Sequence, residues 1–192
     1  MVAPVSIKGG RSLKYTFNIH VNDDKSEHSE KLIIVAFDNE GAANIVLKLL
    51  AYLMFIKKRP SFDDDPGWQV RPDLIARNDS GAITIWIDCG SVSTKKLDTV
   101  ATKIRDIQFF VFRKTLKDME HFYRTIKDKI KYLQNVKCVS FDDGFVDGIA
   151  ESIDRTNDVQ AYVSEEMLTF SITNSFGRYE AYTALHRIDG SE

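Results

Sequence analysis

The sequence predicts an α+β fold: a helix, mixed sheet and helix core with an added antiparallel sheet drawn from both ends of the chain. Three observations carry this. Leu13, Tyr15, Phe17, Ile19 and Val21 alternate with polar residues, as do the residues of Leu168–Thr173, so each segment reads as a strand that needs one covered face. The stretch Ala42–Lys57 is nearly all apolar, so the helix it forms must be central. Residues 71–90 read as a β-hairpin whose second strand ends on a carboxylate, Asp88, in an apolar run.

The elements follow in order. After Leu13–Val21, a polar turn over Asn22–Ser29 leads to Leu32–Phe37, a strand apolar on both faces. Asp38 or Asn39 supplies an N-cap for the central helix. Ser61–Gly67 is a loop carrying Asp63, Asp64 and Asp65. Beyond the hairpin, Thr94 caps a helix with Leu97, Val100, Ala101 and Ile104 at helical spacing, and Gln108–Phe112 is an aromatic-rich strand. Thr115 and Asp118 form a capping box for a helix whose buried stripe is Met119, Phe122, Tyr123, Ile126 and Ile130. Val136–Phe141 is a strand, and Asp142 caps a short helix through Val146, Ile149 and Ile153. Gln160–Val163, Leu168–Thr173 and Tyr179–Arg187 close the chain as strands. The pattern describes one domain over 1–192, with the core at about 38–112 and an added sheet from the hairpin 12–37 and the strands of 159–187.

Composition narrows the function classes. A chain of 192 residues that is 43% hydrophobic buries an ordinary single core. Its net charge of −2 gives no whole-molecule attraction for a polyanion, although a local basic patch is compatible with that total. Two cysteines, Cys89 and Cys138, suit a reducing compartment. Met1-Val2-Ala3-Pro4 leads into a polar stretch rather than a secretory signal. The most apolar run, Ile45–Ile56, is interrupted by Lys48 and falls short of the roughly 20 residues that span a bilayer. A soluble cytoplasmic protein without membrane contact is expected.

The hairpin holds the chemistry. Asn78-Asp79-Ser80-Gly81 is strong turn sequence, and Ile83, Ile85 and Ile87 alternate with Thr84, Trp86 and Asp88. A carboxylate on a Trp/Ile strand is costly unless it is paired, hydrogen-bonded or holding a metal. With a two-residue loop, Asp73 lies opposite Trp86 and shares a face with Asp88 on a diagonal of about 7–8 Å. With a bulge at Gly81, the pairing shifts by one and the acids part to opposite faces. The bland alternative makes Asp73 a strand-end cap and Asp88 an ion-pair partner of Arg71.

The order helix, strand, strand, helix, strand, with Pro72-Asp73 on the first strand and Asp88 on the second, resembles the core of the PD-(D/E)XK nuclease-like superfamily. Within it the chain is similar to the YaeQ family over most of its length. The similar stretches are Tyr15–Val21, Lys48-Leu49-Leu50-Ala51-Tyr52, Pro72-Asp73-Leu74, Gly81–Gly90 with its Trp-Ile-Asp-Cys-Gly end, Asp106–Phe112 and the short helix and strands of the tail. The resemblance implies that Asp73 and Asp88 are metal ligands for Mg²⁺ and that Glu40 assists. The usual lysine position, two residues after the second acid, is Gly90 here, and the resemblance gives that lysine's catalytic role to Lys95. Two departures stand out: Ala43 occupies a second acidic helix position, and Asp88 stands where Glu is usual in the family.

Two functions follow from the resemblance. One is a Mg²⁺-dependent phosphodiesterase or nuclease acting on DNA or RNA, since two carboxylates and water suit Mg²⁺. The other is a non-catalytic nucleic-acid- or protein-binding regulatory module on the same fold, favoured by Gly90, Ala43 and the slight acidity. The remaining motifs have ordinary readings. Lys57-Lys58-Arg59 complements a helix C-terminus, the acidic loop lacks the spacing of a calcium loop, and the four histidines are scattered.

Overall fold

The structure, a computed structural model, describes residues 12–190 apart from 24, 38–39, 63 and 104–106. Along the chain run β1 (Leu13–Asp23), β2 (Ser26–Ala36), α1 (Ala42–Met54), β3 (Ser61–Phe62), β4 (Leu74–Arg77), β5 (Ile83–Cys89), α2 (Thr94–Lys103), β6 (Gln108–Phe112) and α3 (Leu116–Ile126). Then come β7 (Val136–Ser140), α4 (Phe145–Ser152), β8 (Thr156–Val163), β9 (Met167–Asn174), β10 (Gly177–Ala184) and β11 (His186–Asp189). The strands form two mixed sheets, ordered β10-β9-β8-β1-β2 and β11-β7-β6-β5-β4-β3.

The two ends of the chain do share a sheet, but it is not antiparallel throughout. β1 and β8 run parallel, with Thr16 opposite Thr156 and Val21 opposite Ala161, because α4 returns the chain to the same end before β8 begins. The second sheet also extends past residue 112, since β7 adds parallel to β6 and β11 adds antiparallel to β7. The segment expected as one strand over Tyr179–Arg187 divides at Leu185, where the chain leaves one sheet for the other. Asp142, expected to cap α4, works at that crossing instead. Its carboxylate accepts from the Ala184 amide and pairs with His186 Nε2, each at 2.8 Å, while Gly144 in the left-handed region caps α4.

Helix α1 lies between the sheets. Phe17, Ile19 and Ile34 approach it from one side, and Ile85, Ile87 and Phe112 from the other, all in one buried cluster. That double coverage is why its sequence is apolar all round. The far face of the second sheet, with Trp86, Phe109 and Val111, packs on Leu97 and Val100 of α2 and Met119 and Ile126 of α3.

The local differences have local causes. The polar run 22–29 is mostly strand, because the outward face of a half-covered hairpin is polar in any case. Its turn is held by Asp23, whose carboxylate accepts from the Lys25 and Ser26 amides. Gly41 caps α1 without a side-chain bond, and the expected caps Asp38 and Asn39 lie outside the described residues, as do Asp63 and Ile104. Ser93, not Thr94, caps α2 by accepting from the Lys96 amide. Thr115 caps α3 as expected, at 3.1 Å from the Asp118 amide. Cys89 and Cys138 are buried and unpaired. Among the described residues, no helix is long and apolar enough to cross a membrane.

Candidate functional site

The β4–β5 hairpin follows neither of the two expected registers. Its loop is three residues long, closed by Asn78 and Ala82, with Gly81 in the left-handed region at φ +81°. That gives the shift a bulge would give, with Arg77 opposite Ile83. A second slip between Ala76 and Arg77 then sets Ile75 opposite Trp86 and Leu74 opposite Ile87. At the open end, the Asp73 amide donates to the Ile87 carbonyl at 2.9 Å, and Asp73 Oδ2 accepts from the Cys89 amide at 2.7 Å. Asp73 is therefore fixed against the strand end that carries Asp88.

The central helix supplies the next layer. Asn44 and Lys48 stand one turn apart on α1, and Glu40 lies just ahead of its N-cap Gly41. Asn44 Nδ2 donates to Glu40 Oε1, and Lys48 Nζ stands 2.6 Å from the same oxygen and 3.4 Å from Asp73 Oδ1. The Lys48 side chain is only 7% exposed. Burial opposes its charge, but the Glu40 hydrogen bond and the charges of Asp73 and Glu40 outweigh it and hold its pKa above the ordinary lysine value. The buried ammonium thus ties two of the predicted acids together.

Asp88 sits behind this layer with no exposed surface. Lys96 Nζ lies 2.7 Å from Oδ1, while Oδ2 is buried without a well-formed hydrogen bond, the Trp86 indole N–H being near enough to stabilise the charged carboxylate. Burial pushes the carboxyl up to about 6; the Lys96 charge and hydrogen bond pull it down, and the Asp73 charge pushes it up again. Lys95, expected in the lysine role, points to solvent, and its neighbour Lys96 makes the contact with Asp88 instead. Arg71 pairs with Asp65 rather than Asp88. Gly90 adopts φ +71°, and a Cβ there would stand 2.7 Å from Asn44 Oδ1, so this backbone leaves no room for a lysine at 90.

These residues border a cleft of about 990 Å³, with Glu40, Lys48, Asp73 and Lys96 among its walls. Its rim is cationic. Arg113 donates to the Gly90 carbonyl and pairs with Asp118, its guanidinium lies 4.8 Å over the Phe122 ring, and Lys114 pairs with Asp147. Cys89 also borders the cleft, but burial first and the nearby Asp73 charge next push its thiol well above the ordinary range, so it is no nucleophile. Among the described residues, no three His, Cys, Asp or Glu side chains converge closely enough to hold an ion. Mg²⁺ binds through one or two carboxylates with water completing its shell, and Asp73 with Asp88, close enough for the charge of one to act on the other, would be that pair. Glu40 Oε1 is taken by Lys48 and Asn44, and Oε2 has only the Phe37 amide at 3.4 Å.

Sequence reasoning missed Lys48 and Lys96. The signal for Lys48 was present: a single cation inside an otherwise apolar helix is buried and must find an anion.

Comparison with known proteins follows the same lines. The sequence model described as YaeQ protein matches residues 11–178. The YaeQ protein of Salmonella typhi is 22% identical over 140 residues, covering 73% of this chain and 76% of its own. That of Escherichia coli K12 is 21% identical over 158 residues, covering 82% and 86%. The crystal structure of YaeQ from Xanthomonas axonopodis pv. citri superposes with a TM-score of 0.72 at 15% identity, over 91% of this chain and 98% of that one. YaeQ from Pseudomonas syringae gives 0.69 at 19% identity, over 92% and 96%.

Proposed function

The chain belongs to the YaeQ family, and from that premise and the geometry of the cleft we propose that it hydrolyses phosphodiester bonds of nucleic acid with Mg²⁺, on a PD-(D/E)XK nuclease-like core. The observation that supports this reading is Asp88: a fully buried carboxylate held by Lys96 and close enough to a second carboxylate, Asp73 at the cleft, to feel its charge. Asp73 and Asp88 would hold the ion, which when bound neutralises phosphate charge and makes water acidic enough to supply hydroxide near neutral pH.

The chain's own groups set up the rest. The Cys89 amide fixes the Asp73 carboxylate through Oδ2, and Lys48 faces its Oδ1. Lys48 stays protonated, so it acts as a positive charge on the phosphoryl oxygens as negative charge builds, and not as a base. Glu40 and Asn44 position it. Lys48 thereby takes from the helix the place that Gly90 denies to the strand. Lys96 keeps Asp88 partly ionised despite its burial. Arg113 and Lys114 at the rim suit the flanking phosphates.

The test combines melting with turnover. Mg²⁺ or Mn²⁺ is expected to raise the melting temperature of the wild type but not of Asp73→Asn, and to be required for cleavage of labelled DNA or RNA. Lys48→Met is expected to slow cleavage at least a hundredfold, the range for removing one transition-state charge. A second reading, a non-catalytic binding module, is favoured by one observation: Lys48 and Lys96 already neutralise much of the carboxylate cluster. It forecasts no metal effect on melting and no cleavage of any nucleic acid, and that pair of results would overturn the catalytic reading.

A further inference from the structure

At the turn end of the β4–β5 hairpin, away from the acids, lies a second concavity of about 820 Å³. Lys57, Lys58 and Arg59 form one wall, and Arg77, Asn78 and Gln108 the other. Lys57 pairs with Asp23 and Arg77 with Asp64. Among the described residues, Lys58 and Arg59 make no ion pair, and both are exposed. A helix C-terminus explains lysines at 57 and 58. It does not explain the left-handed backbone of Arg59.

Arg59 has φ +47° and ψ +58° and is the only non-glycine residue with positive φ among those described. It closes the 3-10 turn Ile56–Lys58, a position where glycine is the unstrained choice. An arginine there costs conformational energy that a glycine would not. Such strain persists where the side chain itself has a use. Here the side chain faces the groove.

We propose that this groove binds the sugar–phosphate backbone of a nucleic acid, with Arg59 and Lys58 as its phosphate contacts. The walls mix cations with neutral donors and acceptors, among them Asn78, Thr84 and Gln108, with Asp79 the one acidic residue of the lining. That mix matches phosphate and sugar oxygens. A bilayer would call for apolar residues to insert beside a basic face, and the lining offers none that is exposed. Along β5, Thr84 precedes Asp88 by four residues, about 13 Å, a span of a few nucleotides. The site stands without the catalytic reading, since it shares no residue with the cleft.

The experiment is anisotropy titration of labelled single-stranded and duplex DNA with the full chain in EDTA, which removes any cleavage, alongside thermal melts. Arg59→Gly is expected to raise the melting temperature, because strain is relieved, yet weaken DNA binding several-fold. Lys58→Gln leaves the backbone untouched and should weaken it similarly. The double variant should lose about tenfold or more and flatten the salt dependence by about one to two in logarithmic slope. The affinities are read in EDTA, where no metal is bound and nothing is cleaved, so failure of the catalytic reading leaves this result distinct. A lower melting temperature for Arg59→Gly overturns the strain argument. Unchanged affinity in the double variant, or binding to phosphatidylserine vesicles without binding to either DNA, overturns the site.

Discussion

Asp88 makes a quantitative forecast about stability. In the unfolded chain its carboxyl titrates at the ordinary 3.8, and in the fold burial raises it to about 6, against the pull of Lys96. Below pH 3.8 both states carry the proton and the group is neutral in the balance. As pH rises towards 6, the folded state holds the proton more tightly than the unfolded one, so stability falls with pH across that window. At about 1.4 kcal/mol for each tenfold in proton affinity, the fold at pH 7 is weakened by about 3 kcal/mol. Asn is nearly isosteric with the protonated carboxyl and opens no cavity. Asp88→Asn should therefore match wild type near pH 4 and exceed it by up to about 3 kcal/mol at pH 7, roughly 5–10 °C in melting temperature for a chain of this size. Lys96, already partly exposed, turns to water without a large cost. The assay is urea or thermal melting of both proteins from pH 4 to 7 without divalent metal, reading only the difference between them. Carboxylates whose pKa is held low, such as Asp64 and Asp142, act equally in both and cancel. Parallel stability curves, or a variant less stable than wild type at pH 7, would refute the account of Asp88 as a net burial cost.

Two further outcomes follow from the helix side of the cleft. Lys48→Met leaves Glu40 buried without its cation and should cost about 3–5 kcal/mol, much of it recovered in Lys48→Met/Glu40→Gln; additive losses in a double-mutant cycle of urea melts would show that the pair is not coupled. Gly90→Ala forces a left-handed φ on alanine and a Cβ against Asn44, and should cost about 1–3 kcal/mol by thermal melting. Asn44→Ala in the same chain should return only the part due to the clash.

Much of the architecture was legible because its signals are local and periodic. β1 and the body of α1 announce themselves by spacing, and Thr115 caps α3 as its sequence says. Features set by partners were not. The parallel pairing of β1 with β8 and the passage of β11 into the other sheet depend on how α4 and Leu185 steer the chain, which no window of sequence records. In the hairpin, Gly81 signalled one slip, but the slip at Ala76/Arg77 carries no glycine or proline mark. The site divides in the same way. Asp73 and Asp88 were singled out by residue type and hairpin position, and Glu40 by the family resemblance; Asp73 and Glu40 border the cleft, and Asp88 is buried. Lys95 was taken from the resemblance, and which of two adjacent lysines turns inward depends on how α2 packs, so the contact of Lys96 with Asp88 was not legible.

The parallel register of β1 and β8 also has a temporal consequence. β1 and β2 leave the ribosome early and close as a hairpin with Phe17, Ile19, Leu32 and Ile34 on one face. The neighbour of β1 in the sheet, Thr156 beside Thr16, is synthesised some 140 residues later, on the order of ten seconds at ordinary elongation rates. For that interval the β1 edge stays unpaired, although α1, which follows β2 directly, can cover the apolar face. An edge left open that long is a template for pairing with another chain until β8 arrives to cover it.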